Sequence, residues 1–350
     1  MGNCIARPRK STAEISPSDL IGDPPVVRLY GSPSSPSTWR IRIALMYKSV
    51  AVQFVPSENP SFGSDTVVLQ CGSDTVSGRF ETLLQYIEGR FPKPALVSGF
   101  GVSGRGPVPA VVVTVTLQHR SMMWHLDRMV KWAEDLEATQ ATRGARRAVD
   151  PCVGSPRMEV KKFGRSYSQL LEMMLEHAQM EERIVFPVLE RADRGLSKGA
   201  NEEHARDLPI MNGIKEDIKS VGVLEAGSLD YQEAMSNLSS RLKILLKHCK
   251  EHFEEEEQEL LPLLEAAELS KEKQEGVLAQ CMEVMGATHS HLFYFLIAGL
   301  PPQDAMQYLD MVTRCNDSPR VASMLRELTA RMEGSSSPSM WDPLKLEKLI

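Results

Sequence analysis

The chain of 350 residues has no Cys-x2-Cys pair. Its six cysteines, Cys4, Cys71, Cys152, Cys249, Cys281 and Cys315, are scattered. This excludes a zinc ribbon, a RING and a thioredoxin-type redox pair, all of which need closely spaced thiols. It fits free thiols in a reducing, cytoplasmic compartment. No apolar run reaches the ~18–20 residues that span a bilayer. The first 20 residues lack an apolar run too, so no secretory signal is expected. Charge of one sign is not in large excess: the net charge is −6, with 25% of residues charged. A nucleic-acid partner is therefore not expected. Aromatics make up only 6% of the chain, whereas there are 18 methionines. Met side chains are flexible fillers of helical cores. The length allows two domains, and a hydrophobic fraction of 42% is ample for their cores.

What is present is a stretch that occurs twice. HAQMEERIVFPVLE begins at His177 and HFEEEEQELLPLLE at His252. Aligned without a gap, they share His, Glu at +4 (Glu181, Glu256), Glu at +5 (Glu182, Glu257), Pro at +10 (Pro187, Pro262), Leu at +12 (Leu189, Leu264) and Glu at +13 (Glu190, Glu265). Four residues advance a helix about 40° beyond one turn, so each His and its Glu share a face. An imidazole nitrogen and a carboxylate on one face can hold a metal ion together. A single His-x3-Glu is more often a surface pair, and the run Glu254–Glu257 would supply a Glu at +4 in any case. The rest of the region decides between these readings.

Four helical patterns follow one another between residues 116 and 300. In the first, His119 leads an apolar series through Met122, Leu126, Met129, Ala133 and Leu136. The second begins near Glu159 and carries the first repeat, with Pro187 expected to kink it or mark its last turns. The third places His204 on a stripe with Leu208, Met211, Ile214 and Ile218. The fourth runs from about Leu229 through Leu264 and carries the second repeat. Each helix thus contributes one inward histidine (His119, His177, His204, His252), and two add a carboxylate (Glu181, Glu256). Nitrogen and oxygen donors without thiolate suit two first-row metal ions such as iron or manganese and disfavour structural zinc.

His-x3-Glu-Glu…Pro twice, with a lone His on the first and third helices, resembles the hemerythrin-like, or HHE cation-binding, domain over about residues 116–270. The resemblance implies an up-down four-helix bundle holding a di-iron centre. Oxygen carriers of that family place two His at i and i+4 on the third helix, but here Leu208 follows His204. The pattern is closer to the single-His helix of iron- and oxygen-sensing ligase subunits, without their zinc-ligand spacing. His125 and His248 are the candidate substitutes for the missing ligand.

The remainder of the chain divides around this region. Residues 1–25 open MGNCIARPRK. Gly2 has the acceptor geometry for myristate and Cys4 for palmitate, with Arg7, Arg9 and Lys10 to favour an anionic leaflet of the plasma membrane. Ala6 stands where Ser or Thr is usual. Residues 26–95 read as β-α-β-β-β-α. The run Ser35–Leu45 and the closing Tyr-Ile-Glu-Gly-Arg-Phe-Pro resemble the thioredoxin-like N-terminal domain of glutathione S-transferases. That resemblance gives Ser35, with Pro36 and Arg40, the place of the thiol-activating hydroxyl. The family's Pro before the third strand is absent from Ser64–Val67, and Ser77-Gly78 lacks its acidic residue. Residues 96–115, rich in Gly and Val, read as a linker with at most one short strand. Residues 301–350 read as helices and a disordered tail ending in a docking peptide around Trp341. This order of parts, a transferase-like module ahead of a hemerythrin-like bundle, resembles that of a group of plant hemerythrin-like proteins.

The expectation is thus a multidomain α/β plus all-α chain, in which a small thioredoxin-like module precedes an up-down four-helix bundle with extra C-terminal helices. Its function is expected to be non-haem di-iron binding for iron, oxygen or redox sensing or iron handling, rather than oxygen transport. The alternatives are a di-iron oxidase or peroxidase coupled to thiol chemistry, and an interaction scaffold with a vestigial site.

Overall fold

Short β-branched runs separated by turn residues build the first unit of the computed structural model. The strands are β1 (Val27–Gly31), β2 (Val52–Pro56), β3 (Val67–Cys71) and β4 (Asp74–Gly78), in sheet order β2-β1-β3-β4. β1 pairs in parallel with β2 and antiparallel with β3, and β3 pairs antiparallel with β4. The parallel pair requires a crossover, and α1 (Pro36–Tyr47) supplies it, with Pro36 in its first turn. The two-residue connection between Cys71 and Asp74 needs a positive φ, which Gly72 provides at +62°. α2 (Phe80–Arg90) follows β4 and buries Phe80, Leu83 and Ile87. The structure describes residues 26–57, 66–97, 108–143, 156–191, 193–267, 269–315 and 318–334. Gly2, Cys4, Ser64, Asp65 and Trp341 lie outside the described residues, as do residues 98–107, half of the expected linker, and residues 144–155.

α3 (Ala110–Arg143) begins inside the segment read as linker. Its Ala-Val-Val-Val-Thr-Val start has strand propensity. Val111, Val112 and Val115 are nevertheless buried against Met180, Leu261 and Met285, so packing overrides that propensity. α4 (Pro156–Met180), α6 (Lys198–Val223) and α7 (Leu229–Glu255) complete the bundle. Contacts run α3–α7, α7–α6, α6–α4 and α4–α3, a closed square. α4 continues through a π-helical turn, Glu181–Val185, into α5 (Phe186–Glu190). α7 continues through a second, Glu256–Leu260, into α8 (Leu261–Ala266).

Beyond the bundle lie α9 (Lys271–Val284), α10 (Phe293–Ala298), α11 (Pro302–Cys315) and α12 (Ser318–Gly334). α11 and α12 pack on α1 of the first unit, while α10 and α11 pack on α3 of the bundle. One apolar cluster therefore runs from Leu29 and Ile41 through Leu309 and Leu325 to Leu126 and Leu242. Arg40, on α1, donates to Asp310 at 2.7 Å across this junction. Among the described residues, no helix is long and apolar enough to cross a membrane.

Candidate metal centre

The two π turns set the geometry of the site. An α-helix closes each hydrogen bond four residues back. At the first π turn the Phe186 N–H instead reaches the Glu181 carbonyl, five residues back, and at the second Leu261 N–H reaches Glu256. A proline follows the residue that donates each of these bonds, Pro187 after Phe186 and Pro262 after Leu261. Proline has no N–H to give, and its ring crowds the carbonyl four residues before it. The wider turn relieves that crowding and adds one residue to the helix immediately C-terminal to a functional side chain. The sequence pattern anticipated a kink or helix end at Pro187; the structure instead continues the helix through a register shift.

Glu181 and Glu256, which begin these turns, are 1% and 2% exposed. The run Glu254–Glu257 is thus not uniformly solvated: Glu254 and Glu255 are exposed, Glu257 is exposed but reaches His119, and Glu256 is buried. Two groups of donors meet there: His119, His177, Glu181 and Glu256 form one, and Glu181, His204, His252 and Glu256 the other. All six residues singled out from the sequence are in these groups, and the two carboxylates belong to both.

The distances show how the carboxylates are shared. Glu181 Oε1 lies 3.2 Å from His177 Nε2 and 3.6 Å from His119 Nε2, while its Oε2 lies 3.5 Å from His204 Nε2. Glu256 Oε2 lies 3.3 Å from His119 Nε2, and its Oε1 3.7 Å from His252 Nε2. Each carboxylate thus turns one oxygen to each group. His119 and His177 present Nε2 atoms 3.1 Å apart, near the ~3 Å between two donors that each sit ~2.1 Å from one ion at a right angle.

Every one of the four imidazoles is held from behind at Nδ1. The partners are Glu257 for His119 (3.0 Å), Gln118 for His177 (2.8 Å), Glu182 for His204 (3.0 Å) and Glu203 for His252 (2.6 Å). A donor bond from Nδ1 leaves Nε2 as the lone-pair side, turned inward, the arrangement usual for metal-bound histidine. Phe253 stacks on His119 with ring centroids 4.0 Å apart. Gln118, Glu203 and Phe253 were not singled out from the sequence. The Glu at +5 of each repeat, Glu182 and Glu257, is the signal that could have revealed two of the outer partners.

The donor set fits a metal better than it fits itself. Glu181 Oε2, both oxygens of Glu256 and His252 Nε2 are buried without a hydrogen-bond partner, and groups in that state are costly unless something else satisfies them. Without an ion, protons take its place. Burial opposes charge on His119, but Glu181, Glu256 and Glu257 raise it well above the ordinary value. Burial likewise opposes charge on His204, which Glu181, Glu256 and Glu182 raise to about 9. His177 is lowered, chiefly by burial. Burial works against charge on Glu181 also, and the histidines His177, His119 and His204 hold it well below the usual carboxylate range.

Residues 110–264 match the sequence profile of the hemerythrin HHE cation binding domain. This segment is a hemerythrin-type metal-binding domain. No curated protein matches the chain. The hemerythrin-type domain begins with α3 itself, so the Val-rich start of that helix belongs to it. Its clustered His and Glu side chains are compatible with a di-iron-type site.

The remaining sequence candidates lie elsewhere. His125 donates from Nε2 to the Phe295 carbonyl at 2.8 Å and stacks on the Phe295 ring, and burial pushes it down to about 3. His248 pairs through Nδ1 with Asp207 at 2.9 Å. Neither joins the two groups. Leu208, expected on the core stripe of α6, is 42% exposed. It stands at the mouth of a cavity of about 250 Å³ beside the centre, where Met122, Met174 and Met211 line the walls with His177, His204 and His252. Packing therefore does not enclose it as periodicity suggests. Ser35 is buried before α1 in the first unit.

Proposed function

We propose that the hemerythrin-type domain binds a di-iron centre through His119, His177, Glu181, His204, His252 and Glu256, and that the protein serves iron, oxygen or redox sensing or iron handling rather than oxygen transport. The observation that carries this reading is the pair of buried carboxylates, each presenting one oxygen to each donor group. When bound, an iron pair would supply reversible one-electron chemistry and affinity for oxygen. The protein's part is to fix the donors. Glu257, Gln118, Glu182 and Glu203 orient the four imidazoles, and Phe253 stacks on His119. Leu208, one turn after His204, offers no donor, which leaves one side of the centre with fewer imidazoles than an oxygen carrier uses.

The cavity of about 250 Å³ that reaches three of the histidines favours a second reading, an oxidase or peroxidase acting on a small molecule. The sheet order β2-β1-β3-β4 with its parallel β1–β2 pair supports a thioredoxin-like identity for the first unit, of the kind found in glutathione S-transferases. Acylation at Gly2 and Cys4 rests on the sequence alone and would hold the centre at a membrane surface.

Metal analysis with an optical spectrum tests the primary reading. The purified protein should carry close to two irons per chain, and His177→Ala and Glu256→Ala should each carry fewer. Unchanged metal stoichiometry in both variants overturns it. Turnover of peroxide or oxygen with a reductant would favour the oxidase instead.

A further inference from the structure

One buried hydrogen-bonded chain leads out of the centre into helices beyond the matched domain. His177 Nδ1 lies 2.8 Å from Gln118 Oε1. Gln118 Nε2 donates to the Tyr308 hydroxyl at 3.0 Å. That hydroxyl lies 2.8 Å from His289 Nε2, and His289 Nδ1 lies 3.1 Å from the Met282 carbonyl. Gln118, His177, Tyr308 and His289 are all buried. Met282, His289 and Tyr308 fall after residue 264, where the family match ends.

The chain has a direction, and its far end sets it. A carbonyl only accepts, so His289 Nδ1 must carry the proton toward Met282. Burial keeps the His289 ring neutral, lowering it to about 4, so its Nε2 is an acceptor. Tyr308 therefore donates to His289, and its oxygen is left to accept from the Gln118 amide. That pins the amide with Oε1 facing His177, which must then donate from Nδ1. The only lone pair left to His177 is on Nε2, the atom facing Glu181. A second tie holds the segment between α9 and α10 that carries His289. Glu176, the residue before His177, accepts from the backbone N–H groups of Ala287 at 2.9 Å and Thr288 at 2.7 Å.

We propose that Tyr308 and His289 are positioning residues of the metal centre, which through Gln118 fix the tautomer of His177 and make the C-terminal helices part of the site. The inference rests on the metal-binding reading above. Without the Tyr308 hydroxyl, the Gln118 amide loses its acceptor and is free to turn over. It would then offer N–H to His177 Nδ1 and drive the ring proton to Nε2, where it blocks the metal.

The test compares Tyr308→Phe with Thr114→Val in the full-length protein. Thr114 spans the same α3–α11 contact: its hydroxyl donates to the Ala110 carbonyl at 2.9 Å and lies 3.3 Å from the Met311 sulfur, with no hydrogen bond to His177. Ferrous iron affinity is measured by competition with a chelator, and the His177 tautomer by ¹⁵N NMR of the metal-free protein. Tyr308→Phe should lose about 10–100-fold in affinity, as is usual when an outer partner of a metal-bound histidine is removed. Thr114→Val should bind as the wild type does. His177 should carry its proton on Nδ1 in the wild type and shift toward Nε2 in Tyr308→Phe. Wild-type affinity in Tyr308→Phe, or a loss matched by Thr114→Val, overturns the proposal. If the wild type itself takes up no iron, the proposed function fails and the NMR decides alone: a shifted tautomer supports the relay, and an unchanged one overturns it.

Discussion

Removing the metal should destabilise the bundle, and removing a carboxylate should then partly repair it. At the candidate centre four buried polar atoms lack a hydrogen-bond partner: Glu181 Oε2, Glu256 Oε1, Glu256 Oε2 and His252 Nε2. Each such atom costs ~1–3 kcal/mol, so together they cost about 4–12 kcal/mol without an ion. Ion-pair contacts from protonated His119 and His204, at 3.3 and 3.5 Å, offset part of this, which favours the lower figure. That is still a large share of the ~5–15 kcal/mol that holds a domain folded. For a unit of this size, 1 kcal/mol moves the melting temperature by ~2–4 °C. Chelation under reducing conditions should therefore lower Tm by roughly 8 °C or more, and returning iron should restore it. Glu256→Leu makes the test sharper because its sign reverses. It removes a donor shared by both groups, so the variant should not regain stability with iron. It also removes two unpartnered oxygens, so its metal-free form should melt above the metal-free wild type. Calorimetry on both proteins, with and without iron, reads all four states. The reasoning is wrong if chelation leaves the wild-type Tm unchanged, or if Glu256→Leu lowers Tm equally with and without iron.

Pro262→Ala should act in opposite directions on fold and site. Restoring an N–H lets the second π turn return to α register, gaining up to ~3 kcal/mol for the metal-free helix, while rotating Glu256 away and weakening iron binding in a chelator competition. Equal or tighter binding would refute this account of the π turn. Acid should destabilise the metal-free protein through His125 and His289, which burial lowers to about 3 and about 4. The unfolded histidines titrate near ~6.5, so below that pH the unfolded chain binds protons the folded chain refuses. The contribution of these two groups should be complete above about pH 6.5 and fall by up to ~1.4 kcal/mol per pH unit per group on the way to the folded values, whereas His119 and His204, which are raised, act in the opposite sense as pH climbs above 6.5. His125→Gln should show a shallower loss between pH 7 and 5 in urea titrations; an identical slope would assign the acid sensitivity elsewhere.

The site was legible where a short local pattern carries the chemistry. His177 with Glu181, and His252 with Glu256, are one-turn relations that helical spacing exposes, and His119 and His204 stand on their apolar stripes. The outer partners were not legible. Gln118 reaches His177 from α3 and Glu203 reaches His252 from α6, and no periodicity within one helix encodes a bond to another. The start of α3 misled for a different reason: its valines favour strands, and only burial against Met180 and Leu261 makes them helical. Leu208 keeps the spacing of a core residue but faces a cavity. α9 went unmarked because only Leu278, Cys281 and Met282 of its fourteen residues are buried. The sheet, by contrast, announced itself through alternating runs and a Gly turn.

The junction between α1 and the last two helices has a consequence for the time course of biosynthesis. The Arg40–Asp310 and Arg42–Glu333 pairs join residues 270 and 291 positions apart. Contacts of such range are slow to form, and they cannot form on the ribosome until the last helices have emerged. The six donors, between His119 and Glu256, are synthesised well before Tyr308. A nascent chain can thus gather its donors first and receive the Tyr308 clasp afterwards. On the metal-binding reading proposed above, translation order would separate capture of an ion from locking of the histidine that holds it.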